Sequence, residues 1–323
     1  MQFVLHIGTN KTGTSSIQRA FFENREALKE RGVIFPLTGL EPNTPAHHHL
    51  SRVLRGRRAD ELGMEPAWRD HFVKEIREYD TCVLSSENFH TIPNPDCVAN
   101  LLPKKRTKVV VYLREHATYM ISWYQQAVQS RNTAMDLPEF VDAFFISFTE
   151  LVDRWAKVFG RKNVIVRQYD RRTLKNGDVV ADLASIVQLG LESVFENDDF
   201  AFNQSVAGNL LFAKRLLNCF ITKPESLSIA NEISAMVHLD PTFKGKIEVD
   251  QSVVKRAAFL ARNDRITLKK RYGLDLIPRH EGIEGSLYPD MSRLKQDIET
   301  IRAECKRRNF KADEYFERMF SVL

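Results

Sequence analysis

Gly8-Thr9-Asn10-Lys11-Thr12-Gly13-Thr14-Ser15-Ser16 is the stretch on which the reading of the fold turns. The run before it, Phe3-Val4-Leu5-His6-Ile7, is short and apolar, as a buried strand is. After it, Ile17, Ala20, Phe21 and Leu28 recur along one side of Ser16 to Glu30, and this predicts a helix. Strand, glycine-containing loop and helix, in that order, turn backbone N–H groups and a helix N-terminus toward an anion.

Gly8 and Gly13 have the spacing of a Walker A loop, which carries its lysine directly after the second glycine. Thr14 stands there instead, and the lysine lies inside the loop as Lys11. Further along, Lys108-Val109-Val110-Val111-Tyr112-Leu113 is an apolar strand that ends at Arg114, and a helix-like run follows through Ser122-Trp123-Tyr124. In these two segments the chain resembles the sulfotransferases that use PAPS (3′-phosphoadenosine-5′-phosphosulfate), the bacterial and carbohydrate enzymes most closely in pattern. Asn10 to Ser16 is similar to their phosphosulfate loop, roughly x-Lys-[Ser/Thr/Gly]-Gly-Thr-[Thr/Ser]. Arg114 and Ser122 have the spacing of the family's arginine and serine that hold the 3′-phosphate. The resemblance implies a P-loop-like fold, PAPS as cofactor with PAP as product, and no required metal. It also implies cofactor contacts at Lys11, Thr12, Gly13, Thr14, Ser15, Ser16, Arg114, Ser122 and Tyr169. It covers the N-terminal half of the chain and thins out in the C-terminal half. Where the family often has a proline soon after the arginine, this chain has Glu115-His116-Ala117, which sets an acid beside the expected phosphate position.

The composition, 43% hydrophobic and 28% charged, is that of a globular chain able to bury a full core. A net charge of +5 suits an anionic cofactor or an acidic acceptor and is too small to argue for nucleic acid. Cys82, Cys97, Cys219 and Cys305 have neither metal-site spacing nor the density of a disulfide framework, so reduced cysteines in a cytoplasmic protein are expected. No apolar run reaches membrane length. Golgi-type sulfotransferases carry an N-terminal anchor, and this chain begins its first strand at once, so the expectation is a cytoplasmic, bacterial enzyme.

Four more strands are expected at Gly32–Pro36, Thr81–Ser86, Thr107–Leu113 and Asn163–Arg167. Helical spacing links Trp68, Phe72, Ile76 and Tyr79, and again Leu151, Trp155 and Val158. Alternation of this kind predicts an α/β fold of three layers with a central parallel sheet. Its ligands sit at the C-terminal ends of the strands, where Lys11, Ser86-Glu87, Arg114 and Tyr169 would share one rim. Beyond about residue 205 the pattern turns helical, including a charged helix over Pro289 to Lys306. The expected organisation is an α/β core over 1–205 and a helical portion over 206–323 packed on the same domain.

Moving a sulfuryl group asks the protein to neutralise a leaving phosphate. Lys11 suits the oxygen where charge builds, with the N–H groups of Thr12 to Ser16 and the hydroxyls of Thr14 and Ser15 beside it. The planar fork of Arg114 suits a phosphate, an ordinary surface ion pair being the alternative. A hydroxyl acceptor, taken from the resemblance to be a saccharide or another small molecule, needs a general base. Glu87 at a strand end is the first candidate, since some carbohydrate sulfotransferases place a glutamate or histidine near this point. His48, flanked by His47 and His49, is the rival, and His90 a lesser one. Three adjacent histidines alone lack zinc-site spacing. Tyr169-Asp170 is similar to a Tyr-Glu pair of cytosolic sulfotransferases whose tyrosine lies near the adenine. Phe202-Asn203-Gln204-Ser205 falls where a cofactor-covering loop would come, or is a linker. Arg52, Arg55, Arg57 and Arg58 meet either an acidic saccharide or only solvent. Two other functions stay open. A P-loop small-molecule kinase would need its lysine elsewhere and an acidic Mg2+ ligand at a strand end, where only Glu87 qualifies. A non-catalytic nucleotide- or anion-binding protein would bind PAP without turnover.

Overall fold

Each expected strand forms, and all pair in parallel. They are β1 (Gln2–His6), β2 (Val33–Ile34), β3 (Thr81–Ser85), β4 (Thr107–Leu113) and β5 (Val164–Gln168), in the spatial order β2-β3-β1-β4-β5. The computed structural model describes residues 1–188, 190–195, 205–278 and 280–321. Leu5 of β1 is in register with Leu84 of β3 and with Val109 of β4, so β1 is central and buried on both sides. Unbroken apolar runs are what a doubly covered parallel sheet requires. Val4, Val83, Val110 and Tyr112 face one way and pack with Ile17, Phe21, Val180 and Leu183. The helix Phe148–Phe159 packs against β4 and β5.

The chain divides into two compact units, each assembled from separated segments. One comprises Met1–Arg114, Ser147–Phe202 and Asn263–Leu276 and holds the sheet. The other comprises Glu115–Ile146, Asn203–Arg262 and Ile277–Leu323 and is helical among its described residues. A single cut after residue 205 therefore differs from this division, which sends 115–146 to the helical unit and 263–276 to the sheet unit. The return of 263–276 has a polar anchor. Buried Asp264 accepts from Phe148 N at 2.9 Å, Thr149 N at 3.1 Å and Ser147 Oγ at 2.7 Å, which caps the start of Phe148–Phe159. The helical unit centres on Met120, Tyr124, Leu210, Leu217, Phe243 and Phe316.

Two helix expectations change. The helix expected over Ser16 to Glu30 is two, α1 (Thr14–Glu23) and α2 (Arg25–Glu30), parted at Asn24, whose amide donates to Ala20 O at 3.1 Å. The helix expected from Pro289 begins only at Leu294. Asp290 Oδ1 accepts from Ser292 N at 3.1 Å and from its hydroxyl at 2.6 Å, which holds that stretch in a turn.

Candidate active site

The chain leaves β1 at the point where the strand order reverses, since β3 lies on one side of β1 and β4 on the other. Gly8, Lys11 and Gly13 then take φ of 89°, 61° and 75°. The glycines are required by contact as well as by φ. A Cβ at Gly8 would stand 2.7 Å from Glu87 Cα, and one at Gly13 would stand 2.7 Å from Val179 Cγ1 and 3.0 Å from Tyr169 Cε2. Lys11 has no such freedom, and its left-handed backbone costs on the order of 1–2 kcal/mol. Hydroxyls offset that strain. Thr12 Oγ1 donates to Thr9 O at 2.7 Å, Thr14 Oγ1 donates to the same carbonyl at 3.0 Å, and Thr9 Oγ1 donates to Tyr112 O at 3.2 Å. The Thr14 hydroxyl proton, expected on the anion, is therefore committed to the loop itself, whereas Ser15 is exposed. Gly13 caps α1 without a side-chain hydrogen bond, and no acid occupies the first turn. The first N–H groups of α1, those of Thr14, Ser15 and Ser16, are donors without intrahelical partners.

Lys11 is the cation of this loop. Burial, and then the neighbouring charge of Arg114, push its amine down to about 8. Among the described residues no carboxylate or other acceptor meets that amine. Arg114 directly follows β4, and its guanidinium lies over the Tyr169 ring, 5.1 Å from the centroid. Tyr169 N donates to Leu113 O at 2.8 Å, and the ring reaches Gly13. Lys11, Gly13, Arg114 and Tyr169 are thus joined by contact or charge within the sheet unit. Ser122 lies half-buried on the helix His116–Ser130, in the helical unit. The acid that follows Arg114 is a cap: Glu115 accepts from Ala117 N at 3.0 Å and Thr118 N at 2.9 Å.

Glu87 comes just after β3, and its carboxylate is held from two sides. Gln18 Nε2 donates to Oε2 at 3.1 Å, and His48 Nε2 stands 3.6 Å from Oε1. His48 Nδ1 lies 2.6 Å from Ser86 Oγ, so the two rival bases are neighbours. The other histidines are occupied. His47 Nε2 donates to Pro36 O at 2.9 Å, its Nδ1 accepts from Ser85 N at 3.2 Å, and burial pushes it down to about 4. It is a neutral strut of the fold. His49, shifted down first by burial, stands 3.9 Å from Glu41, which Arg52 pairs at 2.5 Å. His90 turns its Nδ1 to the carbonyl of Glu87. Arg55 donates to Thr91 Oγ1 at 3.0 Å, while Arg57 and Arg58 are exposed beside Glu61 and Asp60. The covering loop expected at Phe202-Asn203-Gln204 lies outside the described residues.

Sequence reasoning missed Gln18 and His6, and it placed Ser86 on the rim without its partner His48. Gln18 reads as an ordinary helix residue, and its partner is distant in sequence. His6 is fully buried, with Nδ1 2.8 Å from Ser85 Oγ and Nε2 without a partner among the described residues, and burial pushes it down to about 3. Among the described residues no group of three or more His, Cys, Asp or Glu is placed to hold a metal, and no helix is long and apolar enough to cross a membrane.

Fold and loop describe a parallel α/β protein with a loop shaped for an anion at the switch point of its sheet. No family model matches the chain, and no curated protein does. Among solved structures it is similar to a sulfotransferase from Alicyclobacillus acidocaldarius, with 15% identity, a TM-score of 0.37, and coverage of 80% of this chain and 95% of that one. A likeness so distant carries no function.

Proposed function

We propose that the protein is a PAPS-dependent sulfotransferase acting on a hydroxyl of a small acceptor, a saccharide or glycoconjugate. One observation carries this reading. The Lys11 amine, part-buried beside the cationic Arg114 and without a protein acceptor among the described residues, sits on a left-handed loop at an uncapped helix start. Such a set of donors fits a phosphate or sulfate ester and leaves no role for a Walker-type lysine. The saccharide class follows from the resemblance to carbohydrate sulfotransferases at Glu87. Four free cysteines fit a reducing compartment and so a cytoplasmic enzyme.

PAPS, when bound, supplies an activated sulfuryl group on its 5′-phosphate. Lys11 donates to the oxygen on which negative charge develops, which is where a preorganised cation counts most. The N–H groups that open α1 share that load, and Arg114 pairs the second phosphate. Glu87 takes the acceptor's proton. Thermal shift with PAP and with ATP–Mg2+ separates the readings. PAP without metal should stabilise the protein by about 2.7 kcal/mol at a hundredfold excess over its Kd. Stabilisation by ATP–Mg2+ alone would sink the proposal in favour of a kinase. PAP binding with no turnover on any acceptor would leave a non-catalytic binding protein.

A further inference from the structure

Ser86 precedes Glu87 in the chain and lies against His48 in the fold. Its hydroxyl is fully buried. Its Oγ accepts from Asn88 N at 3.1 Å and lies 2.6 Å from His48 Nδ1, and these are its partners among the described residues. A buried hydroxyl proton left without an acceptor is unfavourable, since its hydration is lost with nothing in return. The Nδ1 lone pair is the acceptor within reach. We infer that Ser86 donates to Nδ1 and thereby fixes neutral His48 as the Nε2–H tautomer.

That N–H faces Glu87 Oε1 at 3.6 Å, beyond hydrogen-bond length but close enough to steer the carboxylate electrostatically. Gln18 Nε2–H holds Oε2 at 3.1 Å. His48 then has no vacant lone pair toward the site, while Glu87 keeps the unused lone pairs of both oxygens. Accessibility agrees, with 28% of the Glu87 side chain exposed against 10% for His48. Resting on the sulfotransferase reading, this makes Glu87 the base and His48, Ser86 and Gln18 positioning residues. The acceptor's proton goes to a Glu87 oxygen as its oxygen bonds to sulfur. The bond from sulfur to the phosphate oxygen breaks, and its electron pair leaves on PAP.

Long-range 1H–15N correlation on the full chain with 15N-labelled histidine, at pH 8, reads the tautomer, with His48 assigned by loss of its signals in His48→Gln. The expected result is a pyrrole-type nitrogen at Nε2 and a pyridine-type nitrogen at Nδ1. A pyrrole-type Nδ1 in the unaltered protein overturns the inference without need of any variant. Ser86→Ala should mix the tautomers and Ser86→Thr restore one; an unchanged spectrum in Ser86→Ala also overturns it. Turnover on a saccharide panel gives a second reading. Glu87→Gln should lower kcat about 10²–10⁴-fold. His48→Gln keeps an N–H donor and cannot be a base, so it should lower kcat no more than about tenfold. Equal losses in the two overturn the assignment. PAP binding is scored separately: its absence sinks the sulfotransferase reading and leaves the tautomer result standing.

Discussion

Among the described residues two lysines are drawn out of water, one in each unit, and they teach opposite lessons. Lys214, fully buried on the helix Gly208–Asn218, is pushed down to about 7 by burial. Its amine meets Asn218 Oδ1 at 2.5 Å, Ser226 Oγ at 2.6 Å and Val128 O at 3.4 Å, so each of its three hydrogens has an oxygen. Lys11 is pushed down less, to about 8, yet it has a like charge for a neighbour and no acceptor among the described residues. Desolvation alone does not mark a functional lysine. What distinguishes Lys11 is that the fold bears its cost without satisfying its donors.

The widest separation between the two should come from removing each. Lys11→Ala should lower PAP formation from PAPS about 10²–10³-fold, as loss of a transition-state donor does, with an unchanged urea midpoint. Near-normal turnover at saturating PAPS would place Lys11 with the structural lysines. Lys214→Ala should do the reverse. Three oxygens lose a donor and a cavity opens, so urea denaturation should show a loss of about 2–4 kcal/mol while PAP affinity holds. Lys214→Met keeps the stem, so it should be milder. Arg114→Ala should weaken PAP by about tenfold to a hundredfold in calorimetry, the cost of one charge-assisted pair. Unchanged affinity would return Arg114 to a packing role over Tyr169.

The smallest effect is a pH dependence. The Lys11 amine titrates near 8 and an anion prefers its charged form. PAP affinity should therefore be flat below about pH 8 and fall above it, by no more than about tenfold per pH unit for one proton. Lys11→Met should abolish that slope, and a slope that persisted would assign the proton elsewhere.

The sheet was readable because parallel strands buried on both faces are contiguous apolar runs, and β4 ends where its apolar run ends, at Leu113 before Arg114. The loop was readable because its glycines and lysine are adjacent in the chain. The roles of the histidines were not readable. His47, His48 and His49 are indistinguishable as a string, and they separate only when the start of the helix His48–Leu54 turns His47 toward Pro36 and Ser85 and His48 toward Ser86 and Glu87. Gln18 escaped notice for the same reason, since its partner Glu87 follows a different strand. The Thr14 hydroxyl reads as a ligand group because a sequence pattern does not show that Thr9 O is the nearer acceptor.

Gly8 carries a consequence for how such a site is able to change. With only 2.7 Å between its would-be Cβ and Glu87 Cα, main chain rests on main chain where the loop passes the end of β3. The separation between the glycine loop and the end of β3 is therefore gauged by two abutting backbones, not by the reach of flexible side chains. Gly13 is hemmed in on the other flank by the side chains of Tyr169 and Val179. On the proposed reading, an acceptor of different size has to be accommodated by surrounding walls, because the spacing of the Lys11 loop from Glu87 is machined into the main chain.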